Sequence, residues 1–349
     1  MQKRTSPNSG LSLPILGLGC WSFGGGDYWG PRALKDEEAI VKTALDHGIN
    51  YLDTAEIYNG GRSETSLGKI MKHIPRDQVI IGSKVSPVNC QPAILTQHCE
   101  ASLKRLQTDY IDLYMVHWPV HTASIKSFSK DLERIQNPPP IEEVYNTLLE
   151  LQKAGKIRHI GISNFAVPRM AEFSNLSNIA INQLAYNLIS RAIELEVLPY
   201  CESNGIGIMG YMGLMQGILS GRWSSFDEIP ILRRRTRHFD SRKVPASRTG
   251  EPGFETETAQ VLAELQTISK ETGYSMADLS LKWACANPAL TCNLVGASSP
   301  EQLAANAIAV KKPLEASLLD RLNKATISLR DQMGNHLDLF ESAENDRTV

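Results

Sequence analysis

The sequence has no long apolar run, no apolar leader and almost no net charge, and each absence excludes a class of protein. No stretch approaches the ~18 apolar residues that a membrane helix needs, and the opening MQKRTSPNSG lacks the apolar core of a secretion signal. The 349 residues carry a formal net charge of −2, so no strong field attracts nucleic acid or a membrane surface. We therefore expect neither nucleic acid nor a membrane as a partner.

Paired cysteines and metal-ligand motifs are also missing. The six cysteines, at positions 20, 90, 99, 201, 285 and 292, form no CxxC motif. In a chain this long their scatter indicates reduced thiols and a cytoplasmic location. His117 and His121 have the spacing of a helical zinc pair, but Pro119 between them disfavours a helix, so we expect no metal site.

A third absence concerns dinucleotide binding. The segment Gly17–Ser22 begins like the GxGxxG fingerprint but has no third glycine, and Gly24–Gly26 is better explained as a turn. A Rossmann-type dehydrogenase is therefore disfavoured.

What the sequence does contain is a regular alternation of short apolar runs with helical patterns such as Asp36–Leu45, Pro92–Leu106 and Ile141–Leu151. Near-continuous apolar strands separated by helices favour a closed parallel (β/α)8 barrel in a single domain, 1–349, with an open doubly wound sheet as the alternative. The expected strands are Leu16–Cys20, Ile49–Asp53, Val79–Lys84, Tyr110–Val116, Ile157–Ile162, Ile179–Leu184, Ile206–Tyr211 and Cys292–Gly296.

Three segments interrupt this alternation. Arg4–Pro14, with a turn at Asn8–Gly10, is expected to form a β-hairpin that closes the barrel floor. Trp118–Pro140 and the arginine-rich Ser220–Phe254 are long connections, and connections of this length are usually functional or disordered. Because Trp118–Pro140 follows the fourth strand on the catalytic rim, we expect it to influence substrate choice.

Reactive side chains recur where the expected strands end, which is where active sites form in parallel barrels. A tyrosine such as Tyr58 can protonate a carbonyl oxygen, but its ordinary pKa is about 10. Lys84 can lower that pKa, Asp53 can pair with Lys84, and His117 can donate a hydrogen bond to the substrate oxygen. Each residue alone is a weak signal, but their joint placement is a strong one. Since side chains cannot donate hydride, a nicotinamide cofactor is implied.

These residues lie in motifs of a known family. The chain resembles the aldo-keto reductases from about Leu13 to Ala309, in particular the branch that includes potassium-channel β-subunits and bacterial glyceraldehyde-type reductases. The resemblance implies a barrel that reduces an aldehyde or ketone with NADP(H), with Tyr58 as the proton donor. The matching motifs are YLDTAEIYNGGRSETSLG from Tyr51, DLYMVHWP from Asp112, GISNF from Gly161 and GASSPEQLAAN from Gly296.

The same resemblance implies where the cofactor lies. Ser163, Asn164 and Gln183 would hold the carboxamide, and Tyr211 would stack on the nicotinamide ring. Trp21 and its neighbours are expected to wall the pocket and to contact the cofactor. The pyrophosphate would lie along Leu214, Gln216, Ser220 and Arg222, and the adenosine along Gly296, Ser298, Gln302 and Asn306 at a helix N-terminus.

Two departures from the family pattern bear on cofactor choice. Tyr211-Met212-Gly213-Leu214 stands where relatives often have Tyr-Ser-Pro-Leu, and Ser298 or Ser299 stands where many have an arginine. Arg222 or Arg234 would then recognise the 2′-phosphate. Two other functions remain open, a cofactor-occupied regulatory subunit with little turnover and a sugar dehydrogenase working in the oxidative direction. The sequence does not indicate the substrate or the oligomeric state.

Overall fold

The computed structural model describes residues 1–173, 175–223 and 225–349, and eight parallel strands form a closed barrel within them. Sequential strands pair around the barrel, and the last returns to the first, with Leu294 opposite Gly17. The described residues form these strands: β1 (Lys3–Thr5), β2 (Ser12–Pro14), β3 (Leu16–Gly19), β4 (Tyr51–Asp53), β5 (Ile80–Val85), β6 (Ile111–Val116), β7 (Ile157–Ser163), β8 (Ile179–Ala185), β9 (Gly207–Tyr211) and β10 (Leu290–Val295).

The barrel confirms the closed-barrel prediction, and each expected strand overlaps one of β3 to β10. The open-sheet alternative is excluded because β10 pairs with β3 as well as with β9.

The helices in the described residues are α1 (Leu34–Asp46), α2 (Arg62–Met71), α3 (Pro92–Leu106), α4 (Thr122–Phe128), α5 (Leu132–Gln136), α6 (Ile141–Lys153), α7 (Val167–Met170), α8 (Val197–Ser203), α9 (Glu255–Thr272), α10 (Met276–Ala286), α11 (Pro300–Ala309) and α12 (Ala316–Met333).

Helix α3 shows how local sequence sets these elements. Pro92 occupies the first helical turn, where its missing N–H has no intrahelical partner to lose. Leu95, Cys99 and Leu103 form one buried stripe at helical spacing. Gln107 ends the helix in a left-handed conformation with φ 55°. Burial of that stripe places α3 against the outside of the sheet.

The N-terminal hairpin closes one end of the barrel, as predicted. β1 and β2 pair antiparallel with Lys3 opposite Pro14. Leu11 and Leu13 are buried in the barrel interior against a group that includes Tyr51 and Leu113. The carboxyl ends of the strands are therefore left as the accessible rim.

The two long connections carry ordered secondary structure. The 118–140 connection contains α4 and α5, and Asp131 caps α5 by accepting from the backbone of Glu133. In the 220–254 connection, the described residues form short 3₁₀ turns at Phe226–Glu228, Ile231–Arg233 and Ser241–Lys243. No helix among the described residues is long and apolar enough to cross a membrane.

Candidate active site

A cavity of about 980 Å³ opens at the carboxyl ends of the barrel strands. Its wall brings together most of the residues that the sequence suggested, from all parts of the chain. Those lining it are Trp21, Asp53, Tyr58, His117, Ser163, Asn164, Gln183, Tyr211, Leu214, Gln216, Ser220, Arg222, Gly296, Ser298 and Gln302. Lys84 lies just behind this wall and is completely buried.

Lys84 is the centre of a buried hydrogen-bond network at the bottom of the cavity. Its ammonium donates to Asp53 Oδ1 at 2.6 Å, to the Thr54 carbonyl at 2.8 Å and to the Tyr58 hydroxyl oxygen at 3.3 Å. These bonds use all three of its N–H groups. Since the Tyr58 oxygen accepts from Lys84, its own hydrogen is left to point elsewhere, and the hydroxyl borders the cavity.

Asp53 is fully engaged in the same network. Its second carboxylate oxygen accepts from Gln183 Nε2 at 2.8 Å and from the Tyr51 hydroxyl at 3.2 Å. Burial lowers the pKa of Lys84, but the charge of Asp53 and the hydrogen bonds to Asp53 and Tyr58 raise it, and the net direction is upward. Lys84 is therefore a protonated lysine at neutral pH.

The pKa of Tyr58 lies above its ordinary value. Burial raises this pKa, and Lys84 lowers it as expected, but the effect of burial is larger. Asp53 acts in the same direction as burial because its negative charge opposes formation of a phenolate. Tyr58 is thus a protonated hydroxyl, and Lys84 partly offsets the effect of burial on its pKa.

His117 is a buried, neutral imidazole beside Tyr58. The two rings meet edge to face, with centroids 5.6 Å apart. Burial holds the pKa of His117 well below its ordinary value, and the positive charges of Lys84 and Arg347 lower it further. Its Nδ1 is buried and has no hydrogen-bond partner among the described residues. A neutral histidine can donate one hydrogen bond but is a poor proton source.

A tight turn holds Tyr58 against the first barrel loop. Asn59 has φ 53°, a left-handed conformation, and its side-chain amide donates to the carbonyls of Trp21 and Phe23. The Trp21 ring lies 6.0 Å from that of Tyr58 and stacks on Tyr28. Asn59 was not identified from sequence, although the Asn-Gly-Gly triplet signals an unusual turn.

The ends of β7, β8 and β9 form a second polar group on the wall. Asn164 has φ 64°, and its amide nitrogen donates to the His117 carbonyl at 3.0 Å. Its carbonyl oxygen accepts from the Tyr211 hydroxyl at 2.8 Å, which fixes the Tyr211 ring. Ser163 donates to the Gln183 carbonyl. These bonds rigidly order one side of the cavity.

Two glycines keep the middle of the cavity open. A Cβ atom on Gly19 or Gly296 would meet no surrounding atom closer than 3.8 Å, so a side chain there would extend into the cavity. Gln216 and Gly217, which also line the cavity, adopt left-handed conformations with φ 55° and 96°. The two glycines therefore leave room for a ligand beside this loop.

The structure does not support the predicted role of Arg234. Its guanidinium donates to the backbone carbonyls of Asp227 and Ile229, and it does not line the cavity. Arg233 and Arg235 line the cavity instead, with guanidinium groups 4.6 Å and 4.8 Å from the centre of the Tyr28 ring. The short 3₁₀ turn before Arg234 directs successive side chains to different sides, which a run of arginines in sequence does not reveal.

The expected adenosine end lies at the start of α11. Ser298 donates to the side chain of Gln302 through both its backbone and its hydroxyl. Asn306 is buried within α11 and does not line the cavity, but its Nδ2 has no partner among the described residues. Arg32, which sequence reasoning missed, reaches the carbonyls of Ala297 and Ser298 at 3.3 Å.

The comparisons with known proteins identify the family of this chain. A model described as "Aldo/keto reductase family" matches residues 15–327. Aldo-keto reductase YhdN of Bacillus subtilis is 33% identical over 87% of each chain, and the NADH-specific methylglyoxal reductase of Escherichia coli is 30% identical over 93% of this chain and 99% of its own. An aldo/keto reductase from Klebsiella pneumoniae, solved with NADP and acetate, superposes with a TM-score of 0.71 at 27% identity, over 97% of this chain and 100% of its own. The chain therefore belongs to the aldo/keto reductase family.

Proposed function

We propose that this protein is an NADP(H)-dependent oxidoreductase that reduces an aldehyde or ketone to an alcohol, with Tyr58 as the proton donor. The observation that carries the proposal is the Lys84 network. Lys84 donates to the Tyr58 oxygen and to Asp53, and so leaves the Tyr58 hydrogen available at the cavity surface. A protonated tyrosine in the wall of the cavity is the acid that carbonyl reduction needs.

The cavity fits an extended nicotinamide cofactor. The space kept open by Gly19 and Gly296 runs from the polar group of Ser163, Asn164 and Gln183 toward the N-terminus of α11. The first group would hold the carboxamide, and the helix N-terminus, with Ser298 and Gln302, would take the phosphate-bearing end. When bound, the cofactor supplies the hydride that the twenty side chains cannot.

The side chains of the cavity would then orient the substrate and transfer the proton. Neutral His117 would donate a hydrogen bond to the substrate oxygen and orient the carbonyl. Tyr58 would transfer its proton to that oxygen as negative charge develops, and Lys84 would stabilise the phenolate left behind. In the reverse direction the same groups would remove a proton from an alcohol. Asp53 keeps Lys84 charged and in place.

The preference between NADP(H) and NAD(H) tests whether the arginines of the cavity bind a phosphate of the cofactor. We expect NADP(H) to bind more tightly than NAD(H), because Arg222, Arg233 and Arg235 line the cavity and a guanidinium binds a phosphate well. A hydrogen bond to a charged group contributes about 1.5–3 kcal/mol, so loss of one such contact should weaken NADPH binding by about 10- to 100-fold. Fluorescence titration of both cofactors against Arg222→Ala measures this.

Arg234→Ala is the matched control for that titration. It removes an arginine from the same connection, but one tied to the carbonyls of Asp227 and Ile229. We expect its NADPH affinity to match that of the unaltered protein. If the protein binds NADPH and NADH with equal affinity, and Arg222→Ala changes neither affinity, then no arginine of this cavity recognises the 2′-phosphate. The relative named as NADH-specific makes this a real alternative.

Steady-state turnover tests the function itself. The proposal expects many cycles of NADPH oxidation on small aldehydes. Tight NADPH binding with negligible turnover on every carbonyl tested would favour the regulatory-subunit alternative. Turnover confined to alcohol oxidation would favour the sugar dehydrogenase.

We also propose a cytoplasmic location, since all six cysteines are buried free thiols.

A further inference from the structure

Gln183 joins two strands that lie on opposite sides of the barrel. It belongs to β8, Asp53 ends β4, and these strands are four places apart in either direction around the closed barrel. Even so, Gln183 Nε2 donates to Asp53 Oδ2 at 2.8 Å, and both side chains are buried. The bond therefore crosses the interior of the barrel and connects the polar group at the ends of β7 and β8 to the Lys84 network.

Asp53 fixes which end of the Gln183 amide faces the cavity. Asp53 pairs with Lys84 as a carboxylate, so it can only accept hydrogen bonds, and the amide nitrogen must point toward it. The second hydrogen of that nitrogen has Met209 Sδ as its acceptor, at 3.0 Å. The amide oxygen, Oε1, makes no hydrogen bond with any described residue and is not completely enclosed by protein. Since Gln183 lines the cavity, Oε1 is a free acceptor in its wall.

The side chains beside Gln183 have already used their donor hydrogens. Both hydrogens of Asn164 Nδ2 have protein acceptors, the His117 carbonyl at 3.0 Å and Ser163 Oγ at 3.1 Å. The Ser163 hydroxyl donates to the Gln183 carbonyl at 3.0 Å, and the Tyr211 hydroxyl donates to Asn164. Within the described residues, this group therefore offers a ligand acceptors only, and Gln183 Oε1 is the acceptor that no protein group uses.

Asp53 is one of the two charged groups that act most strongly on Tyr58. Burial raises the pKa of Tyr58, Lys84 lowers it, and the negative charge of Asp53 raises it. The other ionisable groups near Tyr58 are neutral, because burial lowers the pKa of a histidine and raises the pKa values of a thiol and two phenols: His117, Cys20, Tyr51 and Tyr211. A bond that stabilises the Asp53 carboxylate therefore bears directly on proton transfer from Tyr58.

The arginines of the cavity do not replace this influence. Their charges are not among the main causes of the Tyr58 pKa, which are burial, Lys84 and Asp53. The arginines that line the cavity are Arg32, Arg222, Arg233, Arg235, Arg248 and Arg347.

We propose that Gln183 is a positioning residue for proton transfer: its amide nitrogen holds the Asp53 carboxylate in place, and its amide oxygen accepts an N–H of the cofactor's carboxamide. This inference rests on the proposed NADP(H)-dependent function, and it joins the cofactor subsite to the proton-transferring group through one side chain. Donation to Oε1 draws electron density away from the amide nitrogen, so Nε2–H becomes a stronger donor to Asp53. With the cofactor bound, the Asp53 charge then opposes the Tyr58 phenolate less.

Binding of a cofactor analogue tests the oxygen end of Gln183. The 3-acetylpyridine analogue of NADPH keeps the carbonyl but has a methyl group in place of the amide nitrogen. The unaltered protein should bind this analogue about 3- to 10-fold more weakly than NADPH, the usual effect of losing one neutral hydrogen bond. In Gln183→Met, whose side chain has similar length and no amide, the two should bind with equal affinity. Fluorescence titration measures these affinities and requires no turnover.

The pH dependence of alcohol oxidation tests the nitrogen end of Gln183. Oxidation needs a Tyr58 oxygen that can accept a proton, so kcat rises as the pH approaches the pKa of Tyr58. Without the bond from Gln183, Asp53 opposes the phenolate more strongly and this pKa moves further up. In Gln183→Met at saturating NADP, the rising limb of kcat should lie about half to one pH unit higher. The substrate is the alcohol that the unaltered protein forms from its best aldehyde.

The analogue and the variant should act through the same bond. With the oxidised 3-acetylpyridine analogue, the unaltered protein should show the same upward displacement of the rising limb. In Gln183→Met, replacement of NADP by the analogue should cause no further displacement. Each comparison keeps the cofactor or the protein constant, so the different redox potential of the analogue does not enter.

The double variant Lys84→Met/Asp53→Asn tests whether Asp53 orients the Gln183 amide. An asparagine side chain can donate as well as accept, so it no longer forces the Gln183 nitrogen to point toward it. The preference for NADPH over the analogue should therefore fall toward equal affinity, measured by the same titration. This binding measurement does not depend on activity, which we expect that variant to lack.

Asn182→Leu is the matched control. Asn182 precedes Gln183 on β8, is completely buried, and its Nδ2 donates to the Phe165 carbonyl at 2.9 Å. It does not line the cavity, so the change removes a buried amide from the same strand without altering the Asp53 network. Both the preference for NADPH over the analogue and the pH profile should stay as in the unaltered protein, even where stability falls.

Several outcomes would overturn the proposal. Equal binding of NADPH and the analogue by the unaltered protein would contradict the contact with the carboxamide. An unchanged pH profile in Gln183→Met would contradict the role at Asp53, and equal changes in Asn182→Leu would assign the effect to packing of β8. If Gln183→Met does not fold, an undisplaced rising limb of the unaltered protein with the analogue overturns the coupling. A protein that shows the binding preference but converts no carbonyl or alcohol contradicts the proposed function and leaves the carboxamide contact standing.

Discussion

Replacement of Tyr58 by phenylalanine should lower kcat by about 100- to 10,000-fold, the usual contribution of general acid catalysis. The change removes one hydroxyl and almost no volume, so the ring still packs beside Trp21 and His117. The expected cofactor contacts lie on other strands, so NADPH should bind nearly as before. Stopped-flow or steady-state NADPH oxidation, with a separate binding titration, measures both quantities.

Tyr114→Phe is the matched control for that experiment. Tyr114 is a fully buried tyrosine on β6 that does not line the cavity, and its hydroxyl has no hydrogen-bond partner among the described residues. The same chemical change there should leave kcat close to its original value. If Tyr58→Phe retains most of its aldehyde reduction while folded, Tyr58 is not the acid.

Replacement of Lys84 by methionine should remove activity and also destabilise the fold. Lys84 and Asp53 form a 2.6 Å ion pair in which both side chains are buried. Loss of one partner leaves a buried carboxylate uncompensated, which typically costs about 3–5 kcal/mol of unfolding free energy. Activity should fall because Tyr58 loses the only positive charge placed against its oxygen by the described residues. Denaturant unfolding and kcat are the two measurements.

The double variant Lys84→Met/Asp53→Asn separates the two effects. An amide at position 53 can still accept from Gln183 or Tyr51 and carries no charge, so much of the lost stability should return. Activity should stay low because the ammonium beside Tyr58 is still missing. A Lys84→Met protein as stable as the original, or a double variant with restored kcat, would contradict the roles assigned here.

The pH dependence of this pair follows from the direction of the Lys84 pKa. The folded pKa lies above the ordinary lysine value of about 10.4. The stability that the charge of Lys84 contributes is therefore fully present below that value as long as the partner carboxylate is ionised, and it is lost as the pH rises through the higher folded pKa. Between about pH 5 and pH 9 the contribution of Lys84 should be constant, so a stability change in that window has another origin.

The barrel could be predicted from sequence because each of its elements carries a local signal. The apolar runs of β5 and β6 and the stripe of α3 specify strand or helix within a few residues. The grouping of the proposed catalytic residues was predictable for a related reason. Asp53, Lys84 and His117 each lie at or directly after the end of a strand, and a closed parallel barrel brings such positions to one rim.

The sequence by itself determined the barrel and the placement of Asp53, Tyr58, Lys84 and His117 together at the carboxyl ends of its strands. Only the tertiary structure decided what Arg234 binds and where Arg347 lies. Arg234 lies in an irregular turn, whose side-chain directions have no fixed period, and it binds backbone carbonyls. Arg347 is 289 positions from Tyr58 in the sequence, and only packing of the 338–349 segment across the rim brings both to one cavity. Likewise, the raised pKa of Tyr58 depends on the burial of its side chain, which cannot be seen in a sequence motif.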